Sequence, residues 1–205
     1  MMPARYDLEG DIGTGTASAA TLGAFLRDNA GPVDLFLDSP GGDAMEGAAL
    51  MAEVERHGRV TVHVRGIAAS AATLPMIAAR EVVMHPAAMI MIHEPAVLGG
   101  GTADELRSMA DSLDKMARTY AEAYARHTGH PVARIAAWMK AETWLTAEEA
   151  LALNFCDRLE DAHASAATVA AFDYTRFRAA PETLVRLAKE NGWATASSEL
   201  DPAEK

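Results

Sequence analysis

The stretch Val60-Thr61-Val62-His63-Val64-Arg65-Gly66-Ile67-Ala68-Ala69-Ser70 decides how this chain folds. Val60, Val62 and Val64 alternate with Thr61, His63 and Arg65, the period-2 signature of a strand with one buried face. The strand is expected to run into Gly66, with Ser70 opening a helix that reaches about Ala79. Ser70 stands among small residues, Ala68 and Ala69 before it and Ala71 and Ala72 after it. Such neighbours let a substrate backbone approach closely. A strand-to-helix turn exposes the hydroxyl, and a helix N-terminus favours developing negative charge. An ordinary helix cap uses the same residue type at the same place. The serine therefore takes its meaning from what surrounds it.

Upstream, Val33 to Leu37 reads as a buried strand entering the turn Ser39-Pro40-Gly41-Gly42, and a helix follows from about Asp43 to His57. Downstream, Val82–Met84 and Met89–Ile92 read as strands, the second delivering His93. Short apolar runs alternating with helical patterns specify α/β architecture. Past a glycine-rich stretch, Leu98 to Thr102, comes the clearest helix, about Ala103 to His127. Leu106, Met109, Ala110, Leu113, Met116, Ala117, Tyr120 and Tyr124 keep to one of its faces. At ~1.5 Å per residue it would be about 37 Å long, so it is expected to project beyond its own subunit. A helix from about Val132 to Lys140, a capping box at Thr146 and Glu149, and a strand from Phe155 to Leu159 complete a domain over 1–160. Residues 161–205 read as a C-terminal extension. It is Ala-rich at first, helical around Pro181–Asn191, and polar and frayed from Ser197 to Lys205.

A net charge of −11 argues against non-specific nucleic-acid binding, since phosphate contacts need Lys/Arg clusters that the sequence lacks. The single cysteine, Cys156, allows no internal disulfide. The N-terminal residues lack a charged-then-apolar leader pattern, and no apolar run reaches the ~18 residues of a membrane span. A soluble cytoplasmic protein is the expectation. The other histidines, His57, His63, His85, His127, His130 and His163, lack the setting of His93 and are read as structural or solvated.

What remains is the apparatus of acyl transfer. A serine hydroxyl needs an adjacent base to take its proton as it attacks, and His93, held at a strand end, suits that role. The N–H groups of Gly42 and of Ala71, just after the serine, would donate to a tetrahedral oxyanion. Donors of this kind contribute about 3–4 kcal/mol each. An ordinary tight turn is the competing reading of Gly41-Gly42. Neither a metal nor a cofactor is called for, and the chain has no Walker-type loop.

The segments Ser39-Pro40-Gly41-Gly42, Gly66-Ile67-Ala68-Ala69-Ser70, Met91-Ile92-His93-Glu94-Pro95 and Leu145-Thr146-Ala147-Glu148-Glu149-Ala150 resemble, in order and spacing, the Clp protease proteolytic subunit family. The likeness covers about Tyr6 to Leu159. It implies a crotonase-like fold, Ser70 as nucleophile, His93 as base and a Gly42/Ala71 oxyanion hole. It also implies a polypeptide substrate and a homo-oligomer of stacked rings whose long helices, here 103–127, interlock. Gly41 and the run Gly99-Gly100-Gly101 are the substrate-binding candidates. The run matches the glycine-containing strand on which family members lay an extended peptide, with a plain flexible loop as the rival reading. For the third triad member the family has an aspartate two residues before an aromatic. Here that aromatic is Trp144, and the position holds Glu142. A surface glutamate, with a water or carbonyl orienting His93 instead, is the alternative.

The chain begins almost at its first strand, has residues beyond Leu159 and carries Glu142-Thr143-Trp144. These traits are similar to Clp-like proteases of tailed phages and prophages, which mature heads by cleaving scaffold and capsid proteins. An ATP-independent prohead peptidase is therefore expected, within a phage procapsid or the cytoplasm. Three alternatives stand: a bacterial Clp-like subunit serving an AAA+ unfoldase, a crotonase-fold acyl-CoA enzyme and a non-catalytic shell subunit. A Ser–Lys dyad is disfavoured because none of Lys115, Lys140, Lys189 or Lys205 has a suitable setting.

Overall fold

A computed structural model of the chain describes residues 2–161 and 170–194. Two compact units divide the chain, Met1–Ala170 and Ala171–Lys205. The first is an α/β unit built on a seven-stranded sheet. Strands β1 (Ala4–Glu9), β2 (Val33–Ser39), β3 (Val60–Ala69), β4 (Glu81–Met84) and β7 (Arg158–Leu159) lie in that order, all parallel. Helices α1 (Ala19–Asp28), α2 (Ala44–His57) and the short α3 (Thr73–Ile77) connect the first four. The valines of β3 are fully buried with Val33, Leu35 and Leu37 of β2, while Thr61, His63 and Arg65 face the other way. The period-2 reading of the founding stretch therefore holds.

Past Val64 the regular pairing breaks. Leu37 faces Val64 but Ser39 faces Ala68, so Arg65, Gly66 and Ile67 lie against Asp38 alone. Such a bulge bends the strand and leaves ladder groups unpaired. Here the buried carboxylate of Asp38 accepts the Ile67 N–H at 3.0 Å. Beyond the bend β3 changes neighbour. Thr61–Val64 pair with β4, whereas Ile67–Ala69 pair with β5 (Met89–Ile92). The strand thus continues past Gly66, where the sequence pattern ended it, because a second partner takes up its backbone groups. β5 in turn pairs antiparallel with β6 (Thr143–Thr146), a strand that the sequence pattern did not indicate.

The long helix, α4, runs from Ala103 to Thr128. Thr102 and Glu105 form a reciprocal capping box at its start, and Gly129 ends it in the left-handed conformation. Tyr120, Ala121, Ala123 and Tyr124 are buried, whereas Leu106, near the other end of the same stripe, is 45% exposed. α5 (Val132–Ala141) follows, then α6 (Ala147–Ala152), whose Thr146–Glu149 capping box is as expected. The strand expected from Phe155 shrinks to Arg158–Leu159. Phe155 and Cys156 are buried in the turn before it, and the Asp157 carboxylate accepts the Val82 N–H at 2.7 Å.

In the second unit a 3-10 turn at Tyr174–Arg176 precedes α7 (Glu182–Glu190), and among the described residues Tyr174, Leu184 and Ala188 are its buried apolar side chains, with Asp173 buried next to Tyr174 in the chain. The Ala-rich stretch, His163 and the polar tail from Ser197 lie outside the described residues. Among the described residues no helix is long and apolar enough to cross a membrane.

Candidate active site

Three neighbouring strands converge on one point through their register. β3 and β5 run parallel with Ala69 beside Met91, so Ser70 leaves the end of one strand as His93 leaves the end of the next. β5 and β6 run antiparallel with Ile92 opposite Thr143. Residues 70 and 93, far apart in the chain, thus meet at the ends of β3 and β5, and Glu142 stands immediately before Thr143, the β6 residue that faces Ile92.

Ser70 is the first residue of a 3-10 turn, Ser70–Ala72, that leads into α3, rather than the first turn of one continuous helix. Its φ is 54°, a left-handed conformation costly for a non-glycine residue and found where a surrounding fold over-determines the backbone. This sharp turn lifts the hydroxyl out of the strand. Ser70 Oγ lies 2.7 Å from His93 Nε2. When the neutral imidazole carries its proton on Nδ1, the Ser70 hydroxyl donates to Nε2, the arrangement a general base requires.

The Pro40-Gly41-Gly42 turn is pinned against this corner. Ile12 N–H donates to Gly41 O at 2.8 Å and Asp43 N–H to Ile12 O at 3.0 Å. The Ser39 hydroxyl donates to Gly10 O at 2.6 Å and accepts from Gly41 N–H at 3.2 Å. Gly41 has φ 101° and Gly42 φ 150°. A side-chain carbon on Gly41 would fall 2.7 Å from Ala69 O and 2.8 Å from Ser70 Cβ. One on Gly42 would fall 2.4 Å from Ile12 O. Both positions therefore need glycine, for conformation and for space. They bring the turn against Ser70 and to within reach of the Ala71 amide.

Glu142 is buried, 8% exposed, and its φ of 56° marks a second left-handed residue at the end of α5. The left-handed backbone is that of a helix C-cap; the burial is what sets it apart from a glutamate on a free surface. The Trp144 indole N–H points at its carboxylate, 3.4 Å from Oε1. The run Gly99–Gly101 is exposed and pairs with no strand among the described residues, so the expected substrate-binding strand is here an extended, unpaired segment.

α4 reaches both arms of the corner, which the sequence did not reveal. The Tyr120 hydroxyl donates to Ala44 O at 2.8 Å, just past the glycine turn. The Tyr124 hydroxyl bonds with the Thr73 hydroxyl, and Thr73 Oγ1 donates to Ser70 O at 2.6 Å. Burial raises the Tyr124 phenol above its usual range. The only available signal was the apolar stripe, which reported that these rings are buried and nothing of where their hydroxyls go.

The other described histidines bond elsewhere. His57 and His130 meet the backbone oxygens of Asn29 and Leu153, and His127 that of Phe155. His63 meets Glu160 Oε1 at 2.9 Å, and His85 Nδ1 accepts the Ala87 N–H. Burial pushes the Cys156 thiol up to about 11, so it is no rival nucleophile at neutral pH. Among the described residues no cluster of three or more His, Cys, Asp or Glu side chains could hold a metal ion.

The sequence profile of the family described as Clp protease matches residues 10–162. Among curated relatives, ATP-dependent Clp protease proteolytic subunit 2 of Rhodococcus jostii (strain RHA1) is 32% identical over 136 residues, covering 65% of this chain and 70% of the relative. Subunit 3 of the same organism is 32% identical over 168 residues, covering 78% and 82%. A solved structure of a ClpP1 mutant from Listeria monocytogenes superposes with a TM-score of 0.67 at 21% identity, over 77% of this chain and 91% of that one.

Proposed function

Because the chain belongs to the Clp protease family, and is with it a serine-type endopeptidase, we propose that peptide cleavage runs through an acyl-enzyme on Ser70, with His93 as base and Glu142 as its carboxylate partner. The 2.7 Å contact between Ser70 Oγ and His93 Nε2 carries this reading. As the hydroxyl oxygen attacks the scissile carbonyl, its proton passes to Nε2, and the new oxyanion accepts hydrogen bonds from the Gly42 and Ala71 amides. The Glu142 carboxylate orients the ring and stabilises the imidazolium. The proton then leaves on the departing amine, and a water deprotonated by the same imidazole releases the acyl group. Gly99–Gly101 would offer main-chain groups to an extended peptide, which gives affinity with little dependence on side chains.

A fluorophosphonate probe tests the site. It should label the wild-type protein at Ser70 and fail on Ser70→Ala and His93→Ala; equal labelling of all three would remove the assignment.

The assembly proposed is a ring-forming homo-oligomer joined through the N-terminal half of α4. Support comes from the apolar stripe that runs into its exposed part at Leu106. A monodisperse monomer by light scattering at micromolar concentration would argue against it.

As to setting, the proposed role is ATP-independent head maturation in a phage or prophage, with scaffold and capsid proteins as substrates. Two features support it: the glutamate at 142, and the separate compact unit beyond the family-matched residues. Work beside an AAA+ unfoldase is the second reading, favoured by the relatives named as ATP-dependent. Degradation of an unfolded protein without nucleotide, unchanged by an added Clp ATPase and ATP, fits the first. Degradation that needs both fits the second.

A further inference from the structure

Beside Ser70 and His93 opens a cleft lined by Ala44, Ala71, Leu74, Pro95, Tyr120 and Tyr124. Its position is where the side chain of the acyl-side residue, whose carbonyl Ser70 attacks, would enter. Apart from Ser70 and His93, which also line it, every wall is apolar or has its hydroxyl bonded. The Tyr120 hydroxyl is committed to Ala44 O and the Tyr124 hydroxyl to Thr73 Oγ1, so neither ring is free to swing without losing a bond. Both rings are buried, at 7% and 3% exposure. The space left between the walls is about 20 Å³. A single water needs roughly 10–15 Å³ on the same measure.

We propose that Tyr120 and Tyr124 close this cleft to a depth that admits an alanine-sized, uncharged acyl-side residue and rejects Leu, Phe and acidic side chains. Tyr120 is the size-determining residue. It lies nearer the α2 edge, and its tether to Ala44 links the helix α4 to the residue two positions past Gly42. A methyl group fills the space and meets only carbon. A longer side chain must displace a tethered aromatic ring, and a carboxylate meets no Lys or Arg among the walls and faces the Asp43 charge that acts on Tyr120, so it is left desolvated. One methylene too many or too few in an apolar pocket changes kcat/KM by about 10–200-fold, which sets the scale to look for.

The inference rests on Ser70 being the nucleophile, so the experiment separates the two. Tripeptide coumarylamides that differ only in the acyl-side residue (Gly, Ala, Leu, Phe, Glu) are assayed with the full-length wild-type protein and with Ser70→Ala as background. The expected result is a Ser70-dependent kcat/KM at least tenfold higher for Ala than for Leu, Phe or Glu. Tyr120→Ala should raise the Leu-to-Ala ratio at least tenfold. Ala44→Val, which narrows the cleft without touching the ring, should shift preference from Ala toward Gly and serves if Tyr120→Ala fails to fold. Ser70-dependent cleavage that favours Leu or Phe in the wild type overturns the pocket and leaves the nucleophile standing. No Ser70-dependent product from any member overturns the nucleophile and the pocket with it.

Discussion

The two halves of β3 obey different rules. Val60–Val64 alternates buried with outward-facing, pairs in step with β2 and β4, and fills its inner face with β-branched side chains. Ile67–Ala69 is buried throughout, pairs with β5, and ends in small residues and a serine at positive φ. Between them sits the bulge held by Asp38. The first half is built for packing. The second gives up side-chain volume so that the glycine turn, β5 and a substrate can all approach one hydroxyl. The difference shows where this chain keeps its stability and where it keeps its chemistry.

Substitutions along that divide should separate the two, and they are ranked here by effect on turnover. Ser70→Ala should lower kcat by about 10⁵–10⁶-fold, the scale seen when a triad nucleophile is removed. Its thermal midpoint should stay close to the wild type's, because the substitution removes only the hydroxyl and leaves the left-handed backbone of residue 70 in place; turnover near the wild-type rate would end the assignment. Glu142→Gln keeps the shape and removes the charge, and should cost about 10³–10⁴-fold in kcat if the carboxylate stabilises the imidazolium. Wild-type turnover there would pass the orienting role to another group. At the joint itself, Asp38→Ala orphans the buried Ile67 N–H. It should cost about 1–3 kcal/mol in denaturant unfolding and lower kcat by roughly tenfold or more, since small misplacements near a reacting centre are expensive. Loss of stability with unchanged kcat would show that the bulge does not position Ser70. Val62→Ala, in the packing half, deletes buried methyl groups and should cost about 1.5–3 kcal/mol. Activity per folded molecule should not change, and a drop in kcat would blur the division.

How much of this was readable in advance varies residue by residue. The alternation over Val60–Val64 announced a strand because burial on one face imposes a period of two on any sequence. The capping box at Thr146–Glu149 announced a helix start because it is closed by groups three residues apart. The continuation of β3 through Ile67–Ala69 had no such local mark. An all-buried run looks alike in a strand and a helix, and what makes it a strand is β5, whose pairing residues lie beyond α3 and β4. For the same reason β6 escaped notice: four residues, half of them only partly buried, carry no period long enough to read.

In the site, Ser70, His93 and the Gly41-Gly42 turn stood out because strand ends and glycine turns have local chemistry that shows in the residues. Glu142 was placed only by its offset from Trp144, and its burial and left-handed backbone came from the fold. Tyr120 and Tyr124 were legible as apolar stripe and nothing more. A hydroxyl's partner across α4 and α2 leaves no trace in spacing.

From its residues alone, then, this chain determined its α/β class, the strand that leads to Ser70, and the serine, histidine and glycines that chemistry of this kind requires. Those are properties of neighbours in the chain. The tertiary structure alone decided that β3 changes partner at a carboxylate-held bulge, and that residues 70 and 93 leave adjacent strand ends together, with Glu142 immediately before β6. It also decided that two tyrosines wall the cleft beside them. Strand register and side-chain contact join positions far apart in sequence, and only packing brings them within range.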